Sequence, residues 1–382
     1  MEKKFLSLFI IFFSFSLIFF IIFKNQNKIF KKFDEKNYEK KYYQSQWINP
    51  NSKNPISDED LYAYAGFKYI KGTNPFLINP EAPPLGKYII GVSIILFKNH
   101  RILSLCFAFF SLLLSFFVAY QMSSSFFASS LVIFLTAINS LFQDQLIHSG
   151  QLEIYQYFFA IVFVIFFNFY LKNKKIRYLF LSGITLGAFI SIKFFFFHFL
   201  LFNFWLILFF FFIAKKFKIN FVIKTYIFLN IIALATFTLT YWRFFLLGGT
   251  IKQFLGAQKW IFLFYQQSKI DNIKILGSYL GLIFINRWRY WSNNYPFIQY
   301  ENWSAIWPLV FIFGSYSIYH FFKQKSFKKN QTSFYPYILL SFFLASNIFL
   351  FFTPIYPRYL LSLFLPLNIF FAINIDKLIK MK

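Results

Sequence analysis

The chain has 382 residues, of which 58% are hydrophobic, 26% aromatic and only 14% charged, far from the balance of an average soluble domain. Its formal charge is +26, yet the basic residues fall in short clusters between apolar runs, which points to membrane topology and against a nucleic-acid partner. A single cysteine, Cys106, excludes an internal disulfide framework and a thiolate metal site. The composition therefore reads as an all-α polytopic membrane protein.

Residues 5–23 (FLSLFIIFFSFSLIFFIIF) carry no charge and are long enough to span as a helix. The KNQNKIF that follows offers no small-residue cleavage site, so an uncleaved first helix is expected. A polar segment occupies 24–82. Further apolar segments are expected at 83–97, 102–120, 125–142, 157–171, 178–193, 194–213, 221–241, 305–320, 336–352 and 359–373, giving about 10–11 membrane helices. No internal repeat is visible, so the sign of many transporters is missing.

Orientation follows from the basic loops KNHR (98–101), KNKKIR (172–177), AKKFK (214–218), FKQKSFKK (322–329) and DKLIKMK (376–382), all cytoplasmic by the positive-inside rule. The segments after residue 172 then alternate correctly. Two full crossings between 102 and 142 would put KNKKIR outside, so either one of those pieces re-enters or the count is wrong. The assignment leaves 24–82, 143–156, the second long loop 242–304 and 353–358 on the external face. The basic stretch 24–41 runs against the rule, which long loops obey poorly.

Acidic residues are scarce, so their positions matter. In SDEDLY, Ser57 is placed to cap a helix whose first turn holds Asp58, Glu59 and Asp60. Asp58 and Tyr62 share one face of it, and Tyr62, Tyr64, Phe67 and Tyr69 suit a helix lying at the membrane interface. In NPEAPPLGK, Glu81 precedes a proline-opened helix carrying Lys87. Glu153 opens an apolar helix, where the dipole alone would favour it. Asp144 and His148 stand four apart, a weak metal pair, while His100, His198 and His320 are scattered and read as non-catalytic. Lys193 is a lone cation among aromatics. Arg358, in TPIYPRYLLSLFLP, has the planar fork suited to a phosphate.

Each of these has a structural explanation: caps, snorkelling lysines and solvated loops. Collected at one surface, however, carboxylates and cations are what sugar transfer from a lipid phosphate needs. A carboxylate takes the proton of the attacking acceptor, and cations neutralise the departing phosphate.

The ordered motifs DE-x2-Y at Asp58–Tyr62, PPLGK ending at Lys87, LE-x4-FF at Leu152–Phe159, a helix ending at Lys193 and PRYLL-x4-P at Pro357–Pro366 resemble the GT-C class of membrane glycosyltransferases. The likeness is to the superfamily of protein O-mannosyltransferases and aminoarabinose transferases. It runs from about Asp58 to Lys193, with a weaker echo at Tyr356–Pro366. The resemblance implies a GT-C fold with short interfacial helices in the first external loop. It also implies inverting transfer from a polyprenyl-phosphate sugar at the external face of a plasma membrane. By position, Asp58 would be the base, with Glu59 beside it and Glu153 as second acid. Lys87, Lys193 and Arg358 would hold the donor phosphate. Glu81 and Tyr62 would serve the acceptor or a cation.

No cofactor is demanded; the loop carboxylates leave room for a divalent cation without a spacing that requires one. Membrane lipids are expected neighbours, and the acceptor (protein, lipid or glycan) stays open. Two other classes compete: a lipid-linked sugar flippase or transporter, and an oligosaccharide ligase or polymerase using Arg243, Arg287 and Arg289 of the 242–304 loop.

Overall fold

The computed structural model describes residues 2–148, 150–267, 270–323 and 333–380. The chain is mostly helical. Among the described residues, six helices are long and apolar enough to cross a membrane: α1 (Glu2–Lys24), α5 (Ile102–Ser123), α8 (Glu153–Asn173), α10 (Phe195–Ile213), α11 (Ile219–Leu239) and α14 (Tyr335–Phe352). A pair bent by 62°, α6 (Phe126–Ala137) and α7 (Ser140–Ile147), makes a seventh if counted as one span. The remaining helices include α2 (Glu35–Tyr43), α3 (Asp58–Ile70), α4 (Leu85–Phe97), α9 (Ile176–Ile190), α12 (Ile251–Gln266), α13 (Ile306–Lys323) and α15 (Phe364–Lys380).

Helix α8 is the most enclosed of the long helices, whereas α1 and α11 are mostly exposed. On α1 the outward side chains include Phe5, Phe9, Phe12, Phe20 and Phe23, the surface a lipid-facing helix needs, since hydrocarbon rather than protein covers it. Two dipeptide strands, Trp288–Arg289 and Phe297–Ile298, pair antiparallel in the 242–304 loop.

Contacts between loops sort the bundle into two ends. At one end the Asn168 side chain accepts from the Phe334 amide. The Lys174 ammonium there sits over the rings of Phe217 and Phe221, and Lys216 over that of Tyr337. The loops KNKKIR and AKKFK lie at this basic end; FKQKSFKK falls outside the described residues after Lys323. At the other end lie the segment 24–101, His148, residues 150–153, Lys193, the described residues of the 242–304 loop and residues 353–363, joined to one another by side-chain contacts.

Six such helices among the described residues, or seven with the bent pair, are fewer than the 10–11 expected, and one expected crossing is removed by its contacts. The segment 83–97 is not a crossing. Helix α4 has 13 residues, about 20 Å, well short of a hydrocarbon core of about 30 Å. Both its ends sit at the same end of the bundle: Leu85 donates its amide to Ser191 O (3.3 Å), and Lys98 O accepts from Phe33 N (2.8 Å). Asn99 donates to Ile29 O (2.8 Å) and Lys31 O (3.1 Å). KNHR therefore does not join the other basic loops, and without this crossing the chain alternates through α5, α6–α7 and α8.

Helix α3 also differs from expectation. Its tyrosines Tyr62, Tyr64 and Tyr69 are buried in protein rather than spread on an interface. The cause is a close approach to α4. A Cβ on Gly66 would lie 2.2 Å from Lys87 O, and one on Gly91 2.2 Å from Gly66 O, so the two backbones touch where neither residue has a side chain. Outside α3 lies α2, clamped by the pairs Lys41–Asp60 (2.7 Å), Lys68–Glu35 (3.2 Å) and Lys68–Glu39 (3.1 Å). Part of the charge in the basic 24–41 stretch is thus matched across this contact.

Candidate active site

Ser57 caps α3 as its sequence predicts, its hydroxyl accepting from Asp60 N (3.2 Å). That cap sets the first turn, with Asp58 and Glu59 on different faces. Asp58, 43% exposed at its side chain, accepts from Arg358 Nη2 at 2.5 Å. Arg358 stands on the short turn Pro357–Leu360 between α14 and α15, and its Nε lies 2.9 Å from Glu153 Oε1. The same Glu153 oxygen accepts from Lys193 Nζ at 2.5 Å. Glu153 opens α8, where free amides favour an anion, and Lys193 falls in the break between α9 and α10. Four residues from four parts of the chain thus form one chain of charge: Asp58, Arg358, Glu153, Lys193.

Aromatic rings back the two cations. Lys193 Nζ lies 4.7 Å from the centroid of Tyr359 and 5.2 Å from that of Phe194. The Arg358 guanidinium carbon lies 4.8 Å from that of Tyr356. Burial alone would weaken the Arg358 charge, but Glu153, Tyr359 and Asp58 act the other way and hold its pKa well above the ordinary value. Tyr62, buried one turn from Asp58, lies close enough to feel both Asp58 and Arg358.

The cluster borders a cavity of about 800 Å³ lined mainly by apolar side chains, among them Phe189, Phe197, Phe262, Phe349 and Leu350, together with Glu153, Lys193 and Arg358. Helix α12 closes one wall through Tyr265, whose hydroxyl donates to Glu81 O (3.2 Å). A long apolar chain with an anionic head suits such a space.

The other expected residues stand apart from this cluster. Glu59 turns away and accepts from Arg101 Nε (2.5 Å), His100 Nε2 (3.3 Å) and His148 Nδ1 (3.3 Å). Lys28 reaches the second His148 nitrogen at 2.9 Å. Burial would raise the Glu59 carboxyl, yet the two histidine hydrogen bonds and the Arg101 charge outweigh it and hold it far below the usual carboxylate range. Lys87 is fully buried and donates to Asn79 O (2.6 Å), Asn79 Oδ1 (3.1 Å) and Ala82 O (2.7 Å). An ammonium has three protons, so these bonds leave none for a phosphate in this arrangement. Glu81, bonded by the Asn79 amide, is raised by burial against the pull of Lys87.

Three participants escape sequence reading. His100 and Arg101 lie in a loop whose composition looks cytoplasmic, and Tyr359 looks like one tyrosine among 25, although its place beside Arg358 in PRYLL is a usable signal. Among the described residues, no group of three or more His, Cys, Asp and Glu side chains could hold a metal ion. Models of known protein families give no match to this chain, and no curated protein matches it either.

Proposed function

We propose that this protein is a membrane glycosyltransferase of GT-C type, moving a sugar from a polyprenyl-phosphate donor to an acceptor with inversion at the anomeric carbon. The observation that carries the reading is the Asp58–Arg358–Glu153–Lys193 cluster beside an aromatic-walled cavity. The cavity receives the donor, and Arg358 and Lys193 meet its phosphate. As the phosphate engages Arg358, Asp58 is released to accept the proton of the acceptor hydroxyl or amine. The acceptor's electron pair forms the new bond to the anomeric carbon, and the bond to the phosphate oxygen breaks with its electrons on the leaving phosphate. Arg358 and Lys193 stabilise that charge. Glu153, bridging both cations, keeps them in place.

The basic loops at the opposite end support a cytoplasmic position there, and hence an external site. A flippase is less well supported, because its charges would line a path through the bundle rather than gather at one end. Two of the three arginines behind the ligase reading have other partners: Arg243 donates to Ile70 O (3.4 Å) and Arg289 to Tyr295 O (2.9 Å). The test is incubation of purified protein with a panel of polyprenyl-phosphate sugars. Consumption of one, lost in Asp58→Asn, supports the reading; turnover retained in Asp58→Asn removes Asp58 as the base.

A further inference from the structure

The cavity holds polar groups that neither the ion cluster nor the helix packing uses. Gln156 lies one turn beyond Glu153 on α8 and is 7% exposed, and its Nε2 has no hydrogen-bond partner among the described residues. Ser346, on α14, is 5% exposed and its hydroxyl is likewise unpartnered. The second carboxylate oxygen of Glu153 is the third such atom. All three residues line the cavity, as does His198 on α10.

The usual fate of polar side chains in these helices is different. Ser14, Ser111, Ser182, Ser317 and Ser341 each donate to the carbonyl four residues back, as do Asn203 and Asn347. That back-bond satisfies the group inside a membrane helix without help from outside. Gln156 and Ser346 forgo it. Ser140 and Ser315 are also unpartnered but do not line the cavity. His198 Nδ1 lies 3.1 Å from Phe194 O, which makes Nδ1 the protonated nitrogen and leaves Nε2 as an acceptor in the neutral ring.

We infer that Gln156, His198 and Ser346, with the free oxygen of Glu153, form a subsite for the hydroxyl groups of a sugar. The set supplies an amide donor, a hydroxyl that both donates and accepts, and two acceptors. Sugar hydroxyls need that mixture, because each donates one bond and accepts others. The rings of Phe189, Phe197 and Phe349, which line the same cavity, offer apolar faces to the C–H side of a pyranose. An isoprenoid tail alone would leave every one of these polar atoms unmatched, and buried unmatched groups oppose binding. The inference rests on the donor reading above and adds to it where the donor's sugar is recognised.

The test titrates detergent-purified protein with polyprenyl phosphate and with polyprenyl-phosphate hexoses and pentoses. Wild type is expected to bind at least one sugar-bearing lipid more tightly than the bare one. Gln156→Leu and Ser346→Ala are each expected to lower that affinity about five- to tenfold while leaving bare polyprenyl phosphate within about twofold. Retained binding of the bare lipid is also the control for folding. Should Gln156→Leu lose both ligands, Ser346→Ala, which removes a single oxygen, decides. Equal losses on bare and sugar-bearing lipids, or a wild type that does not distinguish them, overturn the subsite and leave the donor reading standing. No binding of any polyprenyl phosphate overturns both.

Discussion

Arg358 reaches back across 300 positions of sequence to place Nη2 2.5 Å from Asp58. The same guanidinium faces Glu153, so one residue carries both acidic groups of the cluster. The prediction is that Arg358→Ala weakens polyprenyl-phosphate binding by at least about tenfold and lowers stability by about 3–5 kcal/mol, because Glu153 loses one of its two cations in a buried setting. Ligand titration and thermal unfolding in detergent measure the two effects. Arg358→Lys should recover stability better than binding, since an ammonium lacks the planar fork. Full donor affinity in Arg358→Ala would remove its phosphate role.

Asp58→Asn keeps the size and the hydrogen bond to Arg358 but cannot accept a proton. Sugar transfer should fall by about 10²–10⁴-fold, with donor affinity little changed. Single-turnover transfer and donor titration on the same preparation separate the two. A drop confined to donor binding would argue that Asp58 serves Arg358 and not the acceptor.

Glu59 gives a pH prediction. Its carboxyl is held well below the ordinary value of 4.5 in the folded protein, so below about pH 4.5 the unfolded chain binds more protons at this site. The stability Glu59 contributes is therefore fully present above that pH and is lost progressively as pH falls toward the lower folded value. Glu59→Gln should cost about 3–5 kcal/mol at neutral pH by leaving Arg101 buried without its counter-charge. The variant's unfolding should also depend less on pH between about 5 and 3. An unchanged acid profile in Glu59→Gln would assign the acid sensitivity to other carboxylates.

The contact between α3 and α4 leaves no room for a methyl group. Gly66→Ala would force its Cβ against Lys87 O, at a cost of about 1–3 kcal/mol even after the helices shift apart. Gly256, with nothing within 4 Å of its added Cβ, is the control. Gly256→Ala should be neutral or slightly stabilising in the same thermal assay. Equal behaviour of the two variants would contradict the packing described here.

The non-crossing α4 is testable without any knowledge of substrate. In a Cys106→Ser background, Lys53→Cys and Lys98→Cys should react together with a membrane-impermeant thiol reagent on intact cells. Lys174→Cys should stay protected until the membrane is opened. If Lys98→Cys behaved like Lys174→Cys, α4 would have to cross.

Much of this was readable in the residues themselves. Ser57 and the acids after it announce the start of α3, and the scarcity of carboxylates makes Asp58 and Glu153 conspicuous. The direction of α4 is not readable. YIIGVSIILF is as apolar as a crossing, and hydropathy reports composition rather than path. KNHR misleads for a related reason: Arg101 is neutralised by Glu59, and the positive-inside rule has no means of discounting a charge that folding pairs off. Gln156, His198 and Ser346 are single polar letters in long apolar runs. Only the packing of α8, α10 and α14 around one cavity brings them into a common lining.

The bonds behind Glu59 have a consequence for timing at the site. Arg101, His100 and His148 grip the residue next to Asp58, and Arg101 and Lys28 tie that grip to the short turn Gln26–Ile29 that follows α1. The backbone under Asp58 is thereby held before any substrate arrives. In the proposed mechanism, moving its carboxylate from Arg358 to an incoming acceptor then takes a side-chain rotation, a step faster than loop rearrangement.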